Sequence, residues 1–300
     1  VVSCSCGRRA VFGGRCAEHF REWLEGSIVA ELEKFVEPSD VLAVAVSGGK
    51  DSTALLDVVH KWGGAKMFAV SVDEGIAGYR DRTLSFLQGF CEKRGIELHI
   101  FSFEEEFGCT LDEMLETRPR ERACTVCGAL RRFLLNKRSR ELGATKILFA
   151  HNRDDELQTF LMNLLSGNLA QISRKGELIG VVDHPLFVVR LKPLFRIPEK
   201  ATAVYALLNY PGLPDVECPY LEESARFRVR HLLNSLELQN PGAKERMLEL
   251  YDREILPALK PSALGFHGKL RECGRCGEPS SRELCKVCEL LDSLCPAVKS

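Results

Sequence analysis

The sequence predicts an α/β protein: a doubly wound parallel sheet that carries a phosphate-binding loop, flanked by a zinc-binding segment at each end. Three observations predict it. Short apolar runs at 41–46, 66–72, 97–101 and 146–150 alternate with stretches of helical spacing, the pattern of right-handed βαβ units. The first run ends in a glycine-rich turn, Ser47-Gly48-Gly49-Lys50-Asp51-Ser52, placed just before a helix. Cysteines gather at both ends with metal-ligand spacing: Cys4, Cys6 and Cys16 with His19, then Cys273, Cys276, Cys285 and Cys288.

Composition sets the bounds. At 300 residues and 45% hydrophobic content the chain suits one sizeable α/β core with small additions. Its net charge of −1 provides no global basic field, so any RNA site must be a local patch. No apolar run approaches the ~20 residues of a membrane span. The first residues do not read as a signal peptide, so a cytoplasmic protein with no membrane contact is expected.

Taken in order, residues 1–26 read as a zinc knuckle, although Cys4-x-Cys6 departs from the usual two-residue spacing. Ser27 suits the cap of a helix reaching about Phe35, with Ile28, Leu32 and Phe35 on one face. Val41–Val46 is an apolar strand, and Thr53–Lys61 a helix that buries Leu55, Leu56 and Val59. Between them, the glycines permit positive φ and a close backbone approach. The amides of the turn, backed by the positive helix end, hold phosphate. Lys50 adds a point charge, and Asp51 suits a magnesium ion that bridges phosphates. This is not the Walker loop, whose glycine stands four residues before its Gly-Lys-Ser/Thr ending.

Lys66–Val72 is the second strand, Arg80–Arg94 a helix, and Glu97–Phe101 the third strand. Lys146–Ala150 is the fourth strand and Asp155–Leu165 a helix, with Asp154 suited to cap it. Polar groups follow these strands: Asp73-Glu74-Gly75-Ile76, Gly78-Tyr79-Arg80 and His151-Asn152-Arg153-Asp154-Asp155. Ligands bind at the carboxyl ends of such strands, so these clusters are expected to converge, with Asp155 facing a nucleotide.

Residues 103–123 read as a loop with a short helix, ending in Arg118, Arg120 and Arg122. Cys124-Thr125-Val126-Cys127-Gly128 then opens the most basic helix, with Arg131, Arg132, Lys137, Arg138 and Arg140. Arg131 and Arg132, one turn past the cysteines, are expected to face substrate. Strands and loops fill 171–195, and Pro198 fits a helix start. Cys218 stands beside Pro219, and Arg226–His231 is a second basic helical face. Both basic faces are expected to hold RNA. A break at 240–242, a helix to about 256 and a linker over 257–268 complete the reading. The expected units are a zinc finger at 1–26, a catalytic domain at 27–256 and a zinc ribbon at 269–300. A ribbon that short has almost no core, so its metal must supply folding energy. Cys91, Cys109 and Cys295 fall outside every pattern and read as small buried hydrophobes.

Cys124, Cys127 and Cys218 pose a third metal question with three readings. They hold a 4Fe–4S cluster with one open iron, or they perform persulfide and disulfide chemistry, or they bind structural zinc with a fourth ligand. Their spacing does not choose.

The loop Ser47–Ser52, the run Val72–Asp81, the motif Cys124–Gly128 and the run Gly143–Asp155 together resemble the tRNA 2-thiouridine synthetases. These form the TtuA-like group, which includes the cytoplasmic tRNA 2-thiolation proteins, within the PP-loop (N-type) ATP pyrophosphatases of adenine nucleotide alpha hydrolase-like fold. The end of the chain, Glu283 to Leu291, is similar to that group as well. The resemblance implies a tRNA uridine 2-sulfurtransferase that uses ATP and magnesium, a 4Fe–4S cluster on Cys124, Cys127 and Cys218, and two zinc ions. ATP would adenylate the uridine C2 oxygen, and sulfur would displace AMP. Arg131 and Asp155 match the group's catalytic positions. Ala45, Ser47, Gly48, Gly49, Lys50, Asp51, Ser52, Ser71, Ala150 and Asp155 would bind the nucleotide. Implied partners are tRNA, a ubiquitin-like sulfur carrier or free sulfide, and a second copy of the chain. Two alternatives differ in kind: a PP-loop ligase that uses ammonia or an amine, which has no need of the three cysteines, and a zinc-ribbon RNA-binding scaffold, which has no need of the loop.

Overall fold

A computed structural model describes residues 3–116, 123–172, 178–179, 184–222, 224–259 and 271–295. Arg118, Arg120, Arg122 and linker residues 260–268 lie outside the described residues. The elements in order are α1 (Ala17–Glu33), β1 (Val41–Ala45), α2 (Lys50–Trp62), β2 (Lys66–Asp73), α3 (Arg80–Glu92) and β3 (Leu98–Ser102). Next come α4 (Phe103–Phe107), α5 (Leu111–Leu115), α6 (Ala123–Glu141), β4 (Lys146–Phe149), α7 (Arg153–Leu165), α8 (Leu169–Ile172), β5 (Leu178–Ile179) and β6 (Val189–Leu191). The last are α9 (Glu199–Asn209), α10 (Ala225–Gln239), α11 (Ala243–Leu250), a π-helical turn (Tyr251–Ile255), α12 (Leu256–Leu259), β7 (Arg271–Glu272), β8 (Pro279–Ser280) and α13 (Lys286–Leu294).

The main sheet runs β3-β2-β1-β4-β6-β5. It is parallel from β3 to β6, and β5 pairs antiparallel at the edge. Its strands are apolar on both faces because helices cover both. Side chains alternate across the pleat: Ala43, Phe68, Val70 and Ile147 face the layer that contains α6 and α13. Leu42, Val44, Ala69 and Leu148 face α1, α2 and α9. A third cluster, with Leu157, Phe160, Val229, Leu233 and Tyr251, joins α7 to α10 and α11. Strand order reverses between β1 and β4, which opens a crevice at their carboxyl ends. Among the described residues no helix is long and apolar enough to cross a membrane.

Several local expectations change. The first helix begins at Ala17, and Ser27 lies inside it, donating its hydroxyl hydrogen to Trp23 O at 2.6 Å. Phe20, Leu24, Ile28 and Leu32 extend one buried stripe through the whole of α1, which overrides a cap at Ser27. The cysteine knuckle runs straight into α1, and Phe12 seats on Phe20 and Trp23 with ring centroids 5.4 and 6.1 Å away. The cap of α7 is Asn152 rather than Asp154: Asn152 Oδ1 accepts Asp155 N at 3.0 Å, and Asp155 Oδ2 accepts Asn152 N at 3.1 Å. Asp154 turns inward instead, accepting Glu199 N at 2.9 Å and pairing with Lys244. Cys109 and Cys295 are buried as expected but bonded to each other, tying the end of α13 to the turn before α5. Cys91 remains a lone buried thiol, pushed up to about 11 by burial.

Candidate active site at the carboxyl edge of the sheet

The phosphate loop is set by its glycines and serines. Gly48 has φ +79°, and a Cβ there would lie 2.4 Å from Thr83 O. Gly49 is different: a Cβ would meet only Ser47 Oγ, at 3.4 Å, so nothing inside the protein excludes a side chain. Its bareness keeps the loop's outer face open to a ligand. Ser52 Oγ accepts Ser47 N and donates to Gly49 O, both at 3.1 Å, and Ser47 Oγ accepts Gly49 N at 3.3 Å. Gly48→Ala is therefore expected to cost at least about 1–3 kcal/mol from backbone strain alone. Thermal unfolding and pyrophosphate release check this, and a variant with native melting and turnover contradicts it.

Helix α2 begins at Lys50, three residues earlier than expected, so Lys50, Asp51 and Ser52 form its first turn. Lys50 Nζ lies 2.9 Å from Asp51 Oδ2 and 3.0 Å from Glu199 Oε1. Burial alone would lower the lysine, but Asp51 and Glu199 outweigh it, and the ammonium stays charged. Asp51 Oδ1 accepts Asn152 Nδ2 at 3.1 Å and Thr202 Oγ1 at 2.5 Å. Glu199 and Thr202 went unread in the sequence; only a helix start at Pro198 was legible there.

Asp155 opens α7 across the crevice. Burial pushes its carboxyl up to about 6, with Arg226 opposing at 3.6 Å and Asp51 adding to the rise. A carboxyl at that value exchanges protons near neutrality. Ala45 ends β1 and Ala150 follows β4, both partly buried. Ser71 Oγ accepts Arg80 Nη2 at 3.0 Å. Arg80 is 2% exposed and also donates to Ser47 O at 2.8 Å and Val72 O at 2.5 Å. Its Nε lies 2.8 Å from Glu74 Oε2, and Glu74, 3% exposed, accepts Arg131 Nη1 at 3.3 Å. A polar chain, buried at Arg80 and Glu74 and emerging at exposed Arg131, thus runs from the phosphate loop to α6. Arg80 and Glu74 were visible as polar residues after β2, but their link to Arg131 was not.

Cys124 and Cys127 sit in the first turns of α6, and Cys218 in the loop between α9 and α10. The thiols act on one another: Cys127 is pushed up to about 12 by burial, with Glu74, Cys218 and Cys124 adding and Arg131 opposing. Burial, Cys124 and Glu74 likewise raise Cys218. Among the described residues only two groups of Cys, His, Asp or Glu have donor atoms all within 4.8 Å, and these three thiols are not one of them. They are too far apart to close on a single zinc ion. Three thiols more widely spaced than that, with cationic Arg131 beside them, fit the donor set of a 4Fe–4S cluster.

The two groups that do close are the expected terminal ones. Sulfurs sharing tetrahedral zinc at ~2.3 Å bonds stand about 3.75 Å apart. Cys273–Cys288 and Cys276–Cys285 are each at 3.7 Å and Cys6–Cys16 at 3.6 Å, with Cys4 Sγ 3.1 Å from His19 Nδ1. Backbone amides favour the Cys4 and Cys273 thiolates, while Cys16, Cys276 and Cys288 are raised: the amides of Cys6 and Cys16, then His19, lower Cys4 to about 5. Burial would raise Cys273, but backbone bonds from Cys276 and Cys285 bring it to about 6.

The basic faces are less free than expected. Arg138 pairs with Glu106 and with Glu141, and Arg140 with Glu278 of the ribbon. Arg226 Nη1 donates to Gln158 Oε1 at 3.1 Å, and Arg230 pairs with Glu217 at 3.1 Å. Arg228 is exposed.

Residues 24–201 match the PP-loop domain family model. The tRNA 2-thiolation protein NcsA of Haloferax volcanii is 33% identical over 96% of this chain and 98% of its own. The tRNA-5-methyluridine(54) 2-sulfurtransferase of Thermus thermophilus is 32% identical over 96% of this chain and 90% of its own. The solved U34-tRNA thiolase NcsA of Methanococcus maripaludis, with its [4Fe-4S] cluster, superposes with TM-score 0.79 at 29% identity, covering 98% of this chain and 97% of that one. The chain belongs to the PP-loop family and, within it, to the tRNA 2-thiolation proteins.

Proposed function

We propose that this protein is a tRNA uridine 2-sulfurtransferase that cleaves ATP to AMP and pyrophosphate. One observation carries the reading: a pyrophosphate-type loop and a three-cysteine site meet across one crevice, joined through Arg80, Glu74 and Arg131. A reaction that needs both adenylation and sulfur delivery requires both halves, and an amine-using ligase requires only the first. The relatives named above act on tRNA uridine, which supports the same substrate here.

The amides of Gly48–Ser52 and Lys50 hold the pyrophosphate part of ATP, and Asp51 holds magnesium against it. The uridine O2 attacks the α-phosphate and pyrophosphate leaves. Sulfide then bonds to C2, the C2–O2 bond breaks, and AMP departs with that oxygen. A 4Fe–4S cluster held by Cys124, Cys127 and Cys218 supplies, when bound, an iron position open to sulfide. Arg131 places positive charge beside the thiolates. Asp155 takes up the proton that the uridine loses on activation. The crevice must present C2 to both halves, so the base is extruded from its stack. A metal-free persulfide route would leave iron unneeded, so the iron dependence of thiolation separates the two. The sulfur comes from free sulfide or a ubiquitin-like carrier's thiocarboxylate, and the enzyme works in the cytoplasm as a homodimer. These last points are carried over from the family resemblance.

Two outcomes test the proposal. Asp155 must be ionised to accept a proton, so AMP formation is expected to rise with pH through about 6. Asp155→Asn should abolish that limb together with most activity; an unchanged acid limb in the variant removes Asp155 from the role. Cys285→Ser should lower zinc from two per chain to one by elemental analysis while iron is retained. Unchanged zinc overturns the C-terminal site.

A further inference from the structure

Two arginines in the crevice stand apart from the others. Among the described residues, Arg80, Arg131, Arg138, Arg140, Arg226 and Arg230 are each held by a carboxylate. Arg132 and Arg190 are held by none. The fold sets these two face to face. Asn136 Oδ1 accepts Val188 N at 3.1 Å, and its Nδ2 donates to Leu186 O at 2.8 Å, which pins α6 against the chain entering β6. From that contact Arg132 lies one helical turn back along α6, and Arg190 lies two residues onward along β6. Four helical residues rise about 6 Å and two strand residues about 6.6 Å, so both steps end at the same level. Arg190 pairs in register with Ile147, whose side chain packs in the α6 layer, so Arg190 points toward α6. Arg132 folds back along its helix: its Nη1 would lie 3.0 Å from a Cβ on Gly128, the residue after Cys127. Desolvation comes first for each; Arg132 then lowers Arg190, while Arg132 itself, exposed at its end, is lowered by Arg131 and Arg226 and raised by the Cys127 thiol.

Two neighbouring cations with no carboxylate partner among the described residues, near the carboxyl edge of a parallel sheet beside the cysteines, call for an anion from outside. We propose that Arg132 and Arg190 form a phosphodiester-binding subsite that clamps the RNA backbone next to the uridine presented to the cysteines. This rests on the reading of tRNA as the substrate. Guanidinium forks match phosphate oxygens in pairs, and backbone contacts of this kind fix register rather than sequence.

The test uses the holoenzyme and a tRNA transcript, with affinity measured between about 50 and 200 mM salt. Arg132→Gln and Arg190→Gln are each expected to reduce the slope of log affinity against log salt by about 0.7 to 0.9, one phosphate contact each. Each should weaken binding by about tenfold at the lower salt, as loss of a charged hydrogen bond does. Arg132→Lys and Arg190→Lys keep the charge and should keep the slope. The Michaelis constant for ATP should stay unchanged in all four. Gln variants with wild-type slopes overturn the subsite while leaving the tRNA reading intact, as does a rise in the ATP constant alone, which would assign the pair to the triphosphate. Lys variants that lose the slope as fully as the Gln variants also overturn it. Wild-type protein that fails to bind tRNA overturns the reading beneath it.

Discussion

Asp51→Ala is expected to lower AMP formation by at least about 10²–10³-fold, the scale seen when one electrostatic group is removed from a developing charge. Asp51 stands in the first turn of α2, where its carboxylate meets Lys50, Asn152 and Thr202. Three chain segments therefore converge on one partly exposed acid. The alanine removes the proposed magnesium ligand and leaves Lys50 with Glu199 alone. Since the site is open to water, the groups left behind can be hydrated, and the fold should survive. Pyrophosphate release measured beside circular dichroism decides. A folded variant that keeps a tenth of wild-type turnover would show that the loop does not depend on this carboxylate.

Cys218→Ala is expected to abolish thiolation and iron retention together while ATP binding persists. Cys218 comes from a loop some ninety residues beyond Cys127, yet it helps raise Cys127 and is itself raised by Cys124, inside one crevice. Its loop is anchored independently of the sulfur: Tyr220 Oη donates to Asp112 Oδ1 at 2.7 Å, and Leu221 N to Cys218 O at 2.9 Å. The substitution should thus delete a ligand without displacing the loop. Iron content after anaerobic reconstitution and mass spectrometry of the tRNA measure the result. A variant that keeps both iron and thiolation would remove Cys218 from the ligand set.

What was legible in the sequence was whatever a short window contains. The phosphate loop announces itself because strand, glycines and helix start lie within a dozen residues. The ribbon does so because four thiols at that spacing have one common use. Tertiary placement was not legible. Glu199 reaches Lys50 and Thr202 reaches Asp51, each from about 150 residues away, and nothing local in α9 says so. The Cys109–Cys295 bond joins segments separated by 186 residues, beyond any spacing rule. Asn152 displaced Asp154 as cap because Asp154 had a buried partner, Lys244, that periodicity does not reveal. Arg138 and Arg140 read as a nucleic-acid face because their acidic partners, Glu106 and Glu278, lie on other elements. Arg190 is legible only as part of the run that closes 171–195, with no role attached, since a single arginine in a three-residue strand has no pattern.

The central claim is that ATP activates the uridine oxygen that sulfur replaces. It is tested most directly with tRNA carrying ¹⁸O at C2 of the target uridine, incubated anaerobically with holoenzyme, ATP and sulfide. The account predicts that each 2-thiouridine formed releases one AMP whose phosphate carries the label. Thiouridine formed with unlabelled AMP, or with ADP as the nucleotide product, would contradict it.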